Sequence, residues 1–81
     1  MNPFEERILA FIRRELLSGR QVDISEDTYL FDEGLIDSLK ILQLIAFLEV
    51  ETDRSIPDRE IVMEHFRTVR AMAARFARRS A

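Results

Sequence analysis

The sequence predicts an all-α domain of four helices with a long first loop and a short third helix. Apolar residues recur at helical spacing in three separate stretches, no stretch reads as a strand, and each periodic stretch opens on a residue able to cap a helix. With 81 residues and no cysteine, neither a disulfide framework nor a thiolate metal site can reinforce the core. Apolar packing must therefore carry the fold, as a single domain over residues 1–81.

The first helix is expected from Pro3 to Leu17. Asn2 can cap it, Pro3 suits the first helical position, and Glu5 can reach back to complete a capping box. Phe4, Ile8, Phe11, Ile12 and Leu16 supply the apolar face, Glu6, Arg13 and Arg14 face water, and Ser18-Gly19 ends the pattern. From Ser18 to Ile36 no period holds. Val22, Ile24, Tyr29, Leu30 and Phe31 punctuate a polar stretch, so the loop should pack over the helix ends, with Gly34 supplying a permissive backbone before the next helix.

Asp37 should cap a second helix from Ser38 to about Thr52. Its apolar residues are too many for one face. Ile41, Leu44, Ile45 and Leu48 form one stripe and Leu39, Leu42, Ala46 and Val50 another, with Lys40, Gln43 and Glu51 as the polar side and Phe47 among them. Either the helix is central and buried over a wide arc, or the second stripe is a docking surface. Ile56-Pro57-Asp58 breaks the pattern, and Asp58 should cap a brief third helix through Arg59–Met63. Thr68 should cap the last helix, with Val69, Met72, Ala73 and Phe76 inward and Arg67, Arg70, Arg75 and Arg78 away from them.

Composition excludes several function classes. No apolar run approaches the ~20 residues of a membrane span, and the first residues lack a basic stretch followed by an apolar core, so a cytoplasmic setting is expected. Residues 1–21 carry +1, residues 22–64 carry −9 and residues 65–81 carry +5, for a net charge of −3. That sum argues against nucleic acid as the main partner, although Arg67, Arg70, Arg75, Arg78 and Arg79 motivate an alternative. A small helical interaction module could use its Arg-rich last helix to bind nucleic acid or an acidic protein. His65, the only histidine, has no sequence link to a serine, so no catalytic residue is assigned. The acidic residues Asp23, Glu26, Asp27, Asp32, Glu33 and Asp37 lack the glycine and terminal glutamate of an EF-hand loop, and no metal site is assigned. Two glycines cannot build a phosphate loop.

What remains is Gly34-Leu35-Ile36-Asp37-Ser38-Leu39, which places a serine on the first turn of the most apolar helix. Unpaired N–H groups and the helix dipole would favour an anionic phosphodiester on that hydroxyl by ~0.3–1 kcal/mol. Simple capping is the other reading.

This segment, followed by Gln43-Leu44 and Phe47-Leu48-Glu49, resembles the attachment motif of acyl and peptidyl carrier proteins. Ile56-Pro57-Asp58 and Phe66-Arg67-Thr68-Val69 resemble the family's segments before its short third helix and at the start of its last. The resemblance implies an acyl-carrier-like four-helix bundle in which Ser38 receives 4'-phosphopantetheine from coenzyme A through a phosphopantetheinyl transferase. The arm's thiol would hold an acyl or aminoacyl thioester, which explains how a chain without cysteine could carry one. The resemblance also implies docking through Asp37, Leu39, Lys40, Leu42, Gln43 and Ala46, a loading ligase, a downstream acyl-accepting enzyme, and a monomer that is not itself an enzyme. Ile36 and Lys40 depart from the alanine and acidic residue usual around the motif in fatty-acid carriers. They bring the chain closer to D-alanyl and specialised aminoacyl or acyl carriers.

Overall fold

The computed structural model of the protein describes residues 2–18 and 22–77. Expectations for Gly19, Arg78 and Arg79 fall outside them. Helix α1 runs Pro3–Phe11 and continues as a π-helical turn over Ile12–Leu16. Asn2 Oδ1 accepts from the Glu5 amide at 2.8 Å while the Glu5 carboxylate accepts from the Asn2 amide at 3.1 Å, the capping box that the first residues predict.

The π turn is the first correction. The Leu17 amide reaches back five residues to the Ile12 carbonyl at 2.9 Å. An ideal α-helix would place Leu17 about 180° from Ile8; the wider turn absorbs one residue and brings Leu16 and Leu17 onto the core side, where both are buried. Leu9 and Leu17 thus join the core beyond the predicted face, while Phe4 and Phe11 are only half-buried. Ser18 ends the helix with φ +50°.

Helix α2 spans Ser38–Thr52, as expected. Leu44 and Leu48 are completely enclosed and Ile45 nearly so, whereas Ile41 is half-buried against the core edge. The second stripe is not buried: Leu39, Leu42 and Val50 are 70%, 62% and 81% exposed. Phe47 is not a solvated outlier, because its ring stacks on Phe11 with centroids 4.3 Å apart. Glu51 pairs with Arg7 at 2.9 Å on the same flank, so the part of the polar side around Phe47 and Glu51, but not Gln43, is turned toward α1. The chain leaves α2 through Asp53 in the left-handed region, φ +56°. Glu49 Oε2 then accepts from the Ile56 amide at 2.8 Å and fixes the reversal.

The short third helix differs from its expected position. Asp58–Glu60 forms one 3-10 turn with Pro57, not Asp58, in the cap position, and helix α3 follows at Met63–Phe66. Ile61 breaks the helical path with ψ 77°. The separation leaves the Glu60 carbonyl facing His65 Nδ1 at 2.8 Å and lets Phe66 enter the core, where its ring meets Phe76. Helix α4, Val69–Phe76, is capped by Thr68 and buries Val69, Met72, Ala73 and Phe76 as predicted. The described residues contain no strand.

The long loop is packed, as its apolar residues suggest: Ile24 and Leu30 are buried, although Tyr29 stays exposed. Ser25 and Thr28 organise a turn around Asp27, with the Thr28 hydroxyl oxygen accepting from the Ser25 amide at 2.8 Å. Arg70 then grips Asp27 through two hydrogen bonds of 2.6 and 2.9 Å, and the Arg70 amide donates to the Glu26 carbonyl at 2.8 Å.

Two outcomes follow from this packing. Leu48→Ala should destabilise the fold by ~2–5 kcal/mol, whereas Leu39→Ala should stay within about 0.5 kcal/mol; urea midpoints measure both, and equal losses would reverse the assignment of faces. The Arg70 hydrogen bonds hold the Asp27 carboxyl below the ordinary carboxylate range. A group whose pKa is lower in the folded state stabilises above its unfolded value, about 3.9, and loses that effect as pH falls through the folded value. Asp27→Asn should therefore flatten the decline in stability below about pH 4 and leave its course between pH 5 and 8 unchanged, as read from urea midpoints across pH.

Candidate functional site

The segment that leads into α2 is built on Leu30. Its amide donates to the Arg67 carbonyl at 3.1 Å, tying the loop to the start of α4. Its own carbonyl accepts from Leu35 at 2.9 Å and Ile36 at 3.3 Å, closing a turn in which Gly34 adopts φ +72°. An L side chain is strained at that angle, which accounts for glycine there. Leu35 and Ile36 bury their side chains and deliver Asp37 to the surface in an extended conformation.

Asp37 Oδ1 accepts from the Leu39 amide at 3.1 Å and from the Lys40 amide at 2.9 Å. The expectation of unpaired first-turn amides is thereby corrected, since Asp37 takes two of them. Ser38, the first residue of α2, is exposed. A phosphodiester at its hydroxyl would still meet the positive end of the helix dipole, and the exposed position leaves room for a flexible group. The residues present therefore fit a covalent arm.

Around Ser38 the expected docking residues divide. Helical geometry sets Leu39, Leu42, Gln43, Ala46 and Val50 on one outward arc, and all five are exposed. Lys40 is half-buried and lies on the other flank, in register with Phe47 and Glu51 and turned toward α1. The arc carries no charged residue along the roughly 16 Å from Leu39 to Val50. Ile61, Val62 and Met63 are exposed too, at 36–48%. Their exposure is not legible from sequence, because it depends on the break between the 3-10 turn and α3.

The remaining candidates are structural. His65 is half-buried, with its ring edge-on to Phe76 at 6.0 Å. Among the described residues, no group of histidines and carboxylates could hold a metal ion. Arg67 and the described arginines of the last helix turn back on the chain. Arg70 pairs with Asp27, Arg67 with Asp32 at 3.5 Å, and Arg75 with Glu60. Those pairings remove support for a nucleic-acid surface built on these three side chains.

A capped helix that opens on an exposed serine, held by a packed loop within a four-helix bundle, defines a small carrier domain. The phosphopantetheine attachment site family matches residues 6–76, and the chain belongs to it. The group attached in that family is covalent 4'-phosphopantetheine. The probable acyl carrier protein PigG of Serratia is 33% identical over 70 residues, which cover 86% of this chain and 80% of that protein. The lincomycin biosynthesis protein LmbN of Streptomyces lincolnensis is 37% identical over 73 residues. That match takes in 90% of this chain but only 26% of LmbN, so the chain spans about a quarter of that relative's length. A D-alanyl carrier protein of Lactococcus lactis is 41% identical over 49 residues, covering 60% of this chain and 62% of that protein. A chain in the crystal structure of an FAD-dependent dehydrogenase superposes with a TM-score of 0.75 at 36% identity, over 83% of this chain and 94% of that one.

Asp37→Ala should lower stability by about 0.5–2 kcal/mol, because both capped amides lose their acceptor. Asp37→Asn should recover most of the loss. Thermal unfolding of the two variants checks this; an Asn variant as unstable as the Ala variant would show that the carboxylate charge, not the cap geometry, is what matters.

Proposed function

We propose that Ser38 is the attachment residue, and that the protein presents an acyl or aminoacyl thioester to partner enzymes of a specialised biosynthetic pathway. One observation carries this reading: the exposed serine that opens α2, directly after the Asp37 cap, lies within the span matched by the attachment-site family. The name of LmbN, a lincomycin biosynthesis protein, supports a specialised pathway, and that of PigG supports an acyl carrier. Ile36 and Lys40, which depart from the fatty-acid pattern, support it as well.

When attached, the arm supplies a terminal thiol that carries the cargo as a thioester. The chain's own residues do the rest. Leu30 and Gly34 set the approach to the helix, Asp37 fixes its first turn, and Leu39, Leu42, Gln43 and Ala46 offer a neutral surface to a partner, with Asp37 and Lys40 at its margins. Partners are a phosphopantetheinyl transferase, a loading ligase and an acyl-accepting enzyme. The chain acts as one domain over residues 1–81, as a cytoplasmic monomer and without catalysis of its own. No helix among the described residues is long and apolar enough to cross a membrane.

Incubation with a broad-specificity phosphopantetheinyl transferase, coenzyme A and magnesium should add one arm to the intact chain, seen as a single mass increment. Ser38→Ala should keep the helical circular-dichroism spectrum and lose the increment. The same increment on the Ala variant would refute the assignment.

A further inference from the structure

The far end of α2 carries a separate feature. A cleft of about 300 Å³ opens between that end, the 3-10 turn and the last turn of α4, and Arg54, Ser55, Arg59 and Arg75 line it together with Glu60. The charge there runs against that of the central segment. Residues 22–64 carry −9, yet this cleft gathers three guanidinium groups against one lining carboxylate. Arg75 is matched by Glu60, whose side chain is 19% exposed. Arg54 donates to the Phe76 carbonyl at 3.3 Å, a neutral acceptor, and Arg59 forms no ion pair among the described residues. The C-terminal ends of α2 and α4 add roughly half a negative charge each, which leaves the lining of this cleft at about +1, with Glu49 and Asp53 on the far side of Arg54 and Ser55.

We propose that this cleft binds a phosphate-class oxyanion, either the free ion or the phosphoryl group of a small molecule. Guanidinium forks recognise oxyanions through paired N–H donors, and the Ser55 hydroxyl adds a donor of a different length. A tetrahedral anion offers oxygens to Arg54, Arg59 and Ser55 at once, whereas a carboxylate offers only two. Thr52, on the same rim, stands about 21 Å along α2 from Ser38, so the site is independent of the attachment reading.

Amide chemical shifts of the intact chain, titrated with sodium phosphate at constant ionic strength, test this against sodium chloride. Saturable shifts are expected at Arg54, Ser55 and Arg59 but not at Ser38, and Arg59→Ala should weaken binding at least five-fold while the circular-dichroism spectrum stays the same. Arg54→Lys, which keeps the charge but loses the fork, should weaken it as well. Glycerol 3-phosphate forms a second arm: tighter binding than phosphate assigns a small-molecule phosphoryl group, and weaker binding assigns the free ion. Shifts no different from those in chloride, or unchanged affinity in both variants, would overturn the proposal. Tighter binding of hexaglutamate than of either phosphate would overturn it in favour of a protein carboxylate.

Discussion

Leu30 joins three parts of the chain through one amide, one carbonyl and one side chain. The amide is held by Arg67 at the entry to α4, the carbonyl gathers Leu35 and Ile36, and the side chain is sealed in the core. Each contact alone is ordinary. Together they fix the end of a long loop relative to α4, and the start of α2 follows directly from that end. A loop of this length is entropically costly to order, so the buried anchor and the Arg70 grip on Asp27 are what make a defined helix start available at all.

The same economy governs the charges. Residues 22–64 are strongly acidic, but Asp27, Asp32, Glu51 and Glu60 are each engaged by an arginine, Glu49 holds the Ile56 amide, and Asp37 is a cap. Internal pairing thus absorbs much of a charge that the sequence presents as available to partners. What faces outward from α2 is neutral and largely apolar. A surface of that kind is suited to recognition by shape and by the fit of a few side chains more than by charge.

The legible part of this fold is the part specified locally. Asn2-Pro3-Phe4-Glu5, Asp37 and Thr68 announce helix starts because a cap and its acceptors lie within three residues of each other. The inward faces of α2 and α4 follow from spacing alone, and Ser38 stands out because it opens the most apolar helix. What was not legible depends on partners distant in sequence. Phe47 looks misplaced until Phe11 is found beneath it. The third helix divides because Phe66 and His65 have places to fill beside Phe76. Arg67 and Arg70 resemble a basic surface until the acidic loop pairs with them, and Arg75 until Glu60 does.

The π-helical turn at Ile12–Leu16 has an evolutionary consequence. Such a turn is an α-helix holding one surplus residue, retained here because it sets both Leu16 and Leu17 on the core side. The first helix therefore contains its own allowance for a shorter sequence. Loss of one residue from the solvent side of that turn, such as Arg14, would restore ordinary α-helical winding and leave the two leucines facing inward. Length variation among related chains, which elsewhere collects in loops, can for this reason fall inside a helix here without shifting its register on the core.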